Sequence, residues 1–174
     1  HTNDRRQRQM CIRDSAGAAG GSRGWFLAAA PAPAGAIDLM PGGFALDPGP
    51  CPCGGGEYSR CCGPFHRGER RAETAEQLMR SRYSAFAKGE VDYLRRTHGQ
   101  PAPRRALLQA CRQTTWLGLT IHAVDGGGGD DLEGTVRFEA RHQQGVLVET
   151  SLFQRRGGSL AGEWLYIRAL ELND

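Results

Sequence analysis

Between residues 72 and 89 apolar side chains return at steps of three and four, the period of a helix with one buried face. In "AETAEQLMRSRYSAFAKGE", Ala75, Leu78, Met79, Arg82, Tyr83 and Phe86 share that face. Thr74 offers an N-cap, with Gln77 three residues on to complete a capping box. Gly89 is a natural stop, because glycine takes the left-handed turn that ends helices. A second helical piece, "VDYLRRTH", follows directly, and a third, "RRALLQACRQ", comes after Pro101 and Pro103. Cys111 in the third is expected to be a buried small hydrophobe. From residue 116 the period changes to two. "WLGLTIHAV" (116–124), "GTVRFEARH" (134–142), "VLVETSLFQR" (146–155) and "EWLYIRAL" (163–170) read as strands, separated by glycine-rich breaks. Such short connections imply an antiparallel meander. Helices first and strands afterwards predict an α+β domain over residues 70–174, with the helices packed on one face of the sheet.

Upstream the patterning stops. Residues 1–15, "HTNDRRQRQMCIRDS", have no apolar period and resemble translated adapter read-through, a non-native segment to be set aside. Residues 16–50 are rich in Ala, Gly and Pro and are expected to be disordered. The apolar run Trp25–Ala30 imitates a secretory signal but is shorter than the usual apolar core of one. Met40 is then a plausible start, and the protein is expected in the cytoplasm. No stretch has the roughly eighteen or more apolar residues of a membrane span. Of the net charge of +3, Arg5, Arg6, Arg8 and Arg13 against Asp4 and Asp14 supply +2. The charge that remains gives no reason to expect a nucleic-acid partner.

Four of the six cysteines lie in "CPCGGGEYSRCCG", residues 51–63. A disulfide within Cys51/Cys53 or Cys61/Cys62 would strain the backbone, and bridges across the pairs do not suit a cytosolic chain. A redox pair would prefer two residues between its thiols, a spacing absent here. Metal is the remaining reading. Two close thiolate pairs supply the four soft ligands of tetrahedral zinc, and Gly54, Gly55 and Gly56 let the chain curl between them. Cys51, Cys53, Cys61 and Cys62 are the ligand set, with His66 in reserve behind Cys62. All four positions are then protein, so the zinc is structural rather than catalytic. Arg60, Arg67, Arg70 and Arg71 outnumber Glu57 and Glu69 nearby and read as solvated surface.

The cysteine stretch resembles the SEC-C zinc motif, named for the C-terminal tail of the SecA translocase. Seven residues separate Cys53 from Cys61, one fewer than the motif usually has. "MRSRYSAF", "DYL", "TTWLGLTI", "ETSLF" and "EWLY", in that order, extend the resemblance to the YchJ family, which has no established function. That family joins a SEC-C motif to a domain of nuclear-transport-factor-2-like, cystatin-like fold. The resemblance implies a zinc knob at 51–68 and behind it a cone, a curved sheet wrapped around helices and often enclosing a pocket. Two features depart from the family: "THGQPAP" is an atypical exit from the second helix, and no second SEC-C motif closes the chain.

Arg82 is the misfit on the first helical stripe. A buried guanidinium needs a partner, and Glu149, on a strand face with Ser151 and Phe153, is the expected one. Arg82, Tyr83, Glu149, Ser151, Trp164 and Tyr166 are the residues expected to line a pocket, should the cone hold one. His98, His122 and His142 fall on separate elements and are read as surface or satisfied residues. No nucleophile elbow, phosphate loop or dinucleotide fingerprint occurs. The expected function is a non-catalytic, zinc-stabilised binding or adaptor module that meets a protein through the knob. The resemblance supports this, since SecA's tail docks a chaperone and is associated with the ribosome. The alternative is a small-ligand binder or an enzyme of hydratase or isomerase type, using the cone around Arg82, Glu149 and Tyr166. That alternative is analogy from fold.

Overall fold

The computed structural model describes residues 47–173. The expectations for the read-through segment, the signal-like run, Met40 and the tail up to residue 46 lie outside the described residues. Helix α1 (Gly63–Arg67) follows the last clustered cysteine, with Pro64 in its first turn, where the missing N–H costs nothing. Helix α2 (Ala75–Lys88) begins at the expected cap, the Thr74 hydroxyl accepting from the Gln77 N–H at 3.2 Å. The Gln77 side chain completes the cap one residue early, accepting from the Glu73 N–H at 2.8 Å. Gly89 ends α2 at φ 78°. Helices α3 (Val91–Arg96) and α4 (Arg104–Gln113) occupy the second and third predicted pieces.

Strands β1 (Trp116–Gly126), β2 (Glu133–His142), β3 (Gly145–Arg155) and β4 (Trp164–Asn173) form one antiparallel sheet in the order β1-β2-β3-β4. This is the predicted meander and an α+β fold of nuclear-transport-factor-2-like type. One sheet face meets α2. Phe86, Val136, Phe138, Phe153 and Trp164 are each at most 1% exposed there. Burying a side chain of this size contributes about 1.5–3 kcal/mol. The cysteine loop is not set apart from this packing. Cys51, Cys53, Tyr58, Cys62 and Phe65 belong to the same continuous core as α2 and the sheet. Residues 47–50, counted with the tail on sequence grounds, also belong to the loop: the Tyr58 N–H donates to the Gly49 carbonyl at 2.9 Å.

Two local expectations change. Cys111 is half-buried, because α4 lies at the edge of the helical layer and only its Leu107 is fully covered. The exit "THG" from α3 has a structural task. The Tyr166 N–H donates to Thr97 O at 2.9 Å and the Gly99 N–H to Tyr166 O at 2.7 Å, so this segment lies parallel to β4 along the sheet's edge. A Cβ at Gly99 would sit 2.6 Å from Ile167 Cδ1 and 3.1 Å from the Tyr166 carbonyl oxygen, so a larger residue here would have to turn the Ile167 tip aside.

Candidate functional site

The four clustered cysteines converge. Sγ of Cys53 lies 3.5 Å from that of Cys51, 3.5 Å from that of Cys61 and 3.6 Å from that of Cys62. The Cys61 and Cys62 sulfurs are 3.9 Å apart, and all four lie within 4.8 Å of one another. A tetrahedron with metal–sulfur bonds of about 2.3 Å has edges of about 3.8 Å. The sulfurs therefore outline a shell of the right size. The shorter Cys53–Cys61 spacing still closes it. Gly54 and Gly56 turn the chain with φ of 80° and 110°, and Gly55 lies over the sulfurs. A Cβ at Gly55 would come within 2.8 Å of Cys61 Sγ and 3.3 Å of Cys53 Sγ. Without a cation the thiols oppose one another: burial and the neighbouring Cys53 sulfur push the Cys61 thiol up to about 12. Thiolates this close need a positive charge between them.

α2 supplies the wall behind the sulfurs. Ser84 Oγ lies 3.4 Å from Cys51 Sγ, where a hydroxyl can donate to a thiolate and orient it. The reserve ligand is otherwise engaged. His66 Nε2 is 2.9 Å from the Ser81 carbonyl, which can only accept, so Nε2 carries the proton. Nδ1 then accepts from the Tyr58 hydroxyl at 2.7 Å. Both ring nitrogens are used. Burial lowers the His66 pKa and keeps the imidazole neutral. His66 locks the loop to α2 rather than joining the sulfurs.

A second cluster lies deeper between α2, α3 and the sheet. Arg82 is fully buried and donates through Nη1 to Leu94 O at 3.0 Å and to Thr97 Oγ1 at 2.8 Å. Its guanidinium carbon sits 4.8 Å from the Tyr166 ring centre. The Tyr166 hydroxyl in turn reaches Glu149 Oε1 at 3.4 Å, and the Ser151 hydroxyl donates to the same oxygen. Tyr166 thus lies between Arg82 and Glu149 and touches both. Burial raises the Glu149 pKa, and Ser151, Tyr166 and Arg82 act against that rise in decreasing order.

Not all the predicted pocket residues gather here. Tyr83 turns toward β1 and meets Trp116 edge-on, 5.5 Å between ring centres. Trp164 donates its indole N–H to Glu73 O at 3.0 Å, at the start of α2. His98, read from the sequence as a surface or satisfied residue, is satisfied and lies beside Tyr166. Its ring lies 5.3 Å from that of Tyr166, edge to face, and its Nδ1 accepts from the Gln100 N–H at 3.2 Å. Burial first and Arg82 second lower its pKa to about 4. The glycine directly after His98 was the available signal, since a small residue eases the approach of a chain to a strand edge. His122 is exposed, 3.6 Å from Glu139, and His142 contacts Gln144 at 3.0 Å, as surface residues do.

A family model described as YchJ, middle NTF2-like domain, matches residues 74–169. The chain belongs to the YchJ family. Among curated proteins it is similar to a UPF0225 protein of Cupriavidus metallidurans, 46% identical over an alignment of 129 residues that covers 69% of this chain and 87% of that one. A UPF0225 protein of Streptomyces coelicolor is 45% identical over 118 residues, covering 67% of this chain and 91% of that one. Two solved structures share the fold, each with a TM-score of 0.60 over 71% of this chain. One is a SEC-C motif containing protein from Psychrobacter arcticus, 26% identical and covered over 83% of its length. The other is a SEC-C motif containing protein from Rhodopseudomonas palustris, 29% identical and covered over 99%. In this YchJ-family chain the family match begins at Thr74, the cap of α2. The four-sulfur loop precedes it and rests on the same helix.

Proposed function

We propose that this YchJ-family chain is a non-catalytic cytoplasmic binding protein, in which a structural zinc fixes the cysteine loop against α2 and the knob meets a protein partner. The observation that carries this reading is the sulfur shell. Separations of 3.5–3.9 Å among neighbouring sulfurs suit tetrahedral zinc held by Cys51, Cys53, Cys61 and Cys62. Four protein ligands leave no position for water or substrate, so the metal would supply rigidity and no chemistry. The structural neighbours, both SEC-C motif containing proteins, support the same assignment. The test is elemental analysis of protein purified without added metal, paired with capture of partners from the source cell. The reading expects zinc and a reproducible partner, both lost in Cys61→Ser/Cys62→Ser. A partner retained without zinc would overturn it.

A second reading rests on a different observation. Glu149 Oε2 is buried and has no hydrogen-bond partner among the described residues, and such an atom calls for an explanation. A small polar ligand held by Glu149 beside Ser151, Tyr166 and His98 would provide one, in the manner of a hydratase or isomerase pocket. Thermal-shift measurements with small amides and carboxylic acids test this. A rise in Tm that disappears in Glu149→Gln would favour a ligand site over the binding-module reading.

A further inference from the structure

Beside the cysteine loop, three separate segments bring arginines to one face. Arg70 and Arg71 come from the stretch after α1, Arg96 from the end of α3, and Arg156 from the turn between β3 and β4. The group is physically continuous. Arg156 Nη2 donates to the Arg96 carbonyl at 3.0 Å. Arg96 lies 4.7 Å over the Tyr93 ring and donates to the His66 carbonyl at 3.1 Å. Arg70 sits 5.4 Å from the ring of Phe65, whose carbonyl accepts from Arg96.

Glu163 lies among these arginines. Glu163 is held by Arg71 Nε at 3.0 Å through Oε1 and by Arg156 Nη2 at 3.7 Å through Oε2. Glu69, next to Arg70 in the chain, is paired with Arg67, so Glu163 alone leaves the four guanidiniums with excess charge. The Arg71 and Arg156 side chains remain 75% and 55% exposed, so most of their charge faces solvent. Leu160, in the same β3–β4 turn as Arg156, is 52% exposed.

We infer that this face docks an acidic segment of a protein partner, whose carboxylates take the place that Glu163 samples. The inference rests on the binding-module reading and names the chemistry of its partner. Guanidinium forks match carboxylates two-pronged, and the aromatic rings and carbonyls beneath Arg70 and Arg96 hold the forks in place before the partner arrives. A nucleic acid fits less well. The described region has little excess positive charge, and the tracking of a phosphate backbone needs a longer basic stripe than four arginines around a glutamate. Glu163 competes for the arginines, so its removal should strengthen docking.

The test uses the full chain and a fluorescein-labelled peptide of about eight residues, mixed Asp and Glu with one Leu; the expected response is about tenfold weaker binding in Arg71→Ala/Arg156→Ala. Glu163→Gln should bind more tightly than the parent. Arg112→Ala/Arg137→Ala, which removes as much charge from α4 and β2, should match the parent. Affinity should fall as salt rises from about 50 mM to about 300 mM. Equal losses in the two double variants, weaker binding in Glu163→Gln, or tighter binding of an oligothymidylate than of the peptide would each overturn the inference. Zinc measured on the same samples separates it from the reading it rests on. Metal-free protein that still binds the peptide upholds the docking face and removes the zinc. Zinc-loaded protein that ignores the peptide overturns the docking face alone.

Discussion

The guanidinium of Arg82 lies 4.8 Å from the ring centre of Tyr166, on the side chain whose hydroxyl touches Glu149. A cation and a carboxyl group are thus buried on either end of one tyrosine. Stripping one charge strands the other in a medium that solvates it poorly, at a cost of about 3–5 kcal/mol. Arg82→Ala and Glu149→Ala should each destabilise strongly in urea melts, and the double variant should lose much less than their sum. Tyr166→Phe keeps the ring beneath Arg82 and removes the hydroxyl from Glu149, at an expected cost of about 1–3 kcal/mol. Simple additivity of the two alanine losses would mean that no coupling runs through Tyr166.

Zinc content is the second expectation. One zinc per chain should be found by elemental analysis, and Cys61→Ser/Cys62→Ser should abolish it. His66→Gln should retain the metal but lower Tm, since both His66 nitrogens bond the loop to α2 and neither faces the sulfurs. Loss of zinc in His66→Gln with the fold intact would move that residue into the ligand set.

Gly55→Ala isolates the geometry of the loop. The added methyl would stand 2.8 Å from Cys61 Sγ, inside the range of any real contact. The sulfur must retreat, and zinc competition with a chromophoric chelator should show about 10–100-fold weaker binding, the usual cost of a disturbed ligand shell. Unchanged affinity would show that the loop relaxes freely.

Stability should respond to pH through two groups with opposite slopes. His98 has a folded pKa near 4 against an ordinary value of 6.5. The unfolded chain takes up that proton first, so stability is full above 6.5 and is lost as pH falls toward 4. Glu149 is raised above its ordinary 4.5, so the unfolded chain gives up its proton first. Its contribution is fully present below 4.5 and declines as pH rises through the folded value. Urea midpoints across this range should lose the acid-side decline in His98→Gln and the higher-pH decline in Glu149→Gln. Parallel curves for the parent and both variants would mean that neither group titrates differently on folding.

Much of this architecture could be read from the sequence because its signals are local. The period of α2, the Thr74 cap and the glycine breaks between strands each depend on a few neighbouring residues. The strands extend only a few residues beyond their predicted limits. The cysteine cluster is equally local, four cysteines within twelve positions. What escaped depends on contacts distant in sequence. His98 meets Tyr166 because the segment around Gly99 lies along β4, and no periodicity announces a parallel bridge of one residue pair. α1 is five residues long, below the length at which an apolar period can be recognised. Trp164 and Tyr83 were placed in the pocket by strand and helix face, but a face does not fix how far along the sheet a side chain lies.

The order of the chain also bears on how it is made. The four sulfurs span twelve positions at the start of the described region, and each strand pairs with its immediate successor. Contacts so close in sequence cost little loop entropy and form quickly. As the polypeptide emerges from the ribosome, the cysteine loop can close on a metal before any strand exists. α2 then arrives on a surface already set. Tyr166 lies in the last strand, so the Arg82–Tyr166–Glu149 link forms only when nearly all of the chain is out. A ribosome-bound chain that stops short of β4 should hold zinc while its buried arginine still waits for the ring that covers it.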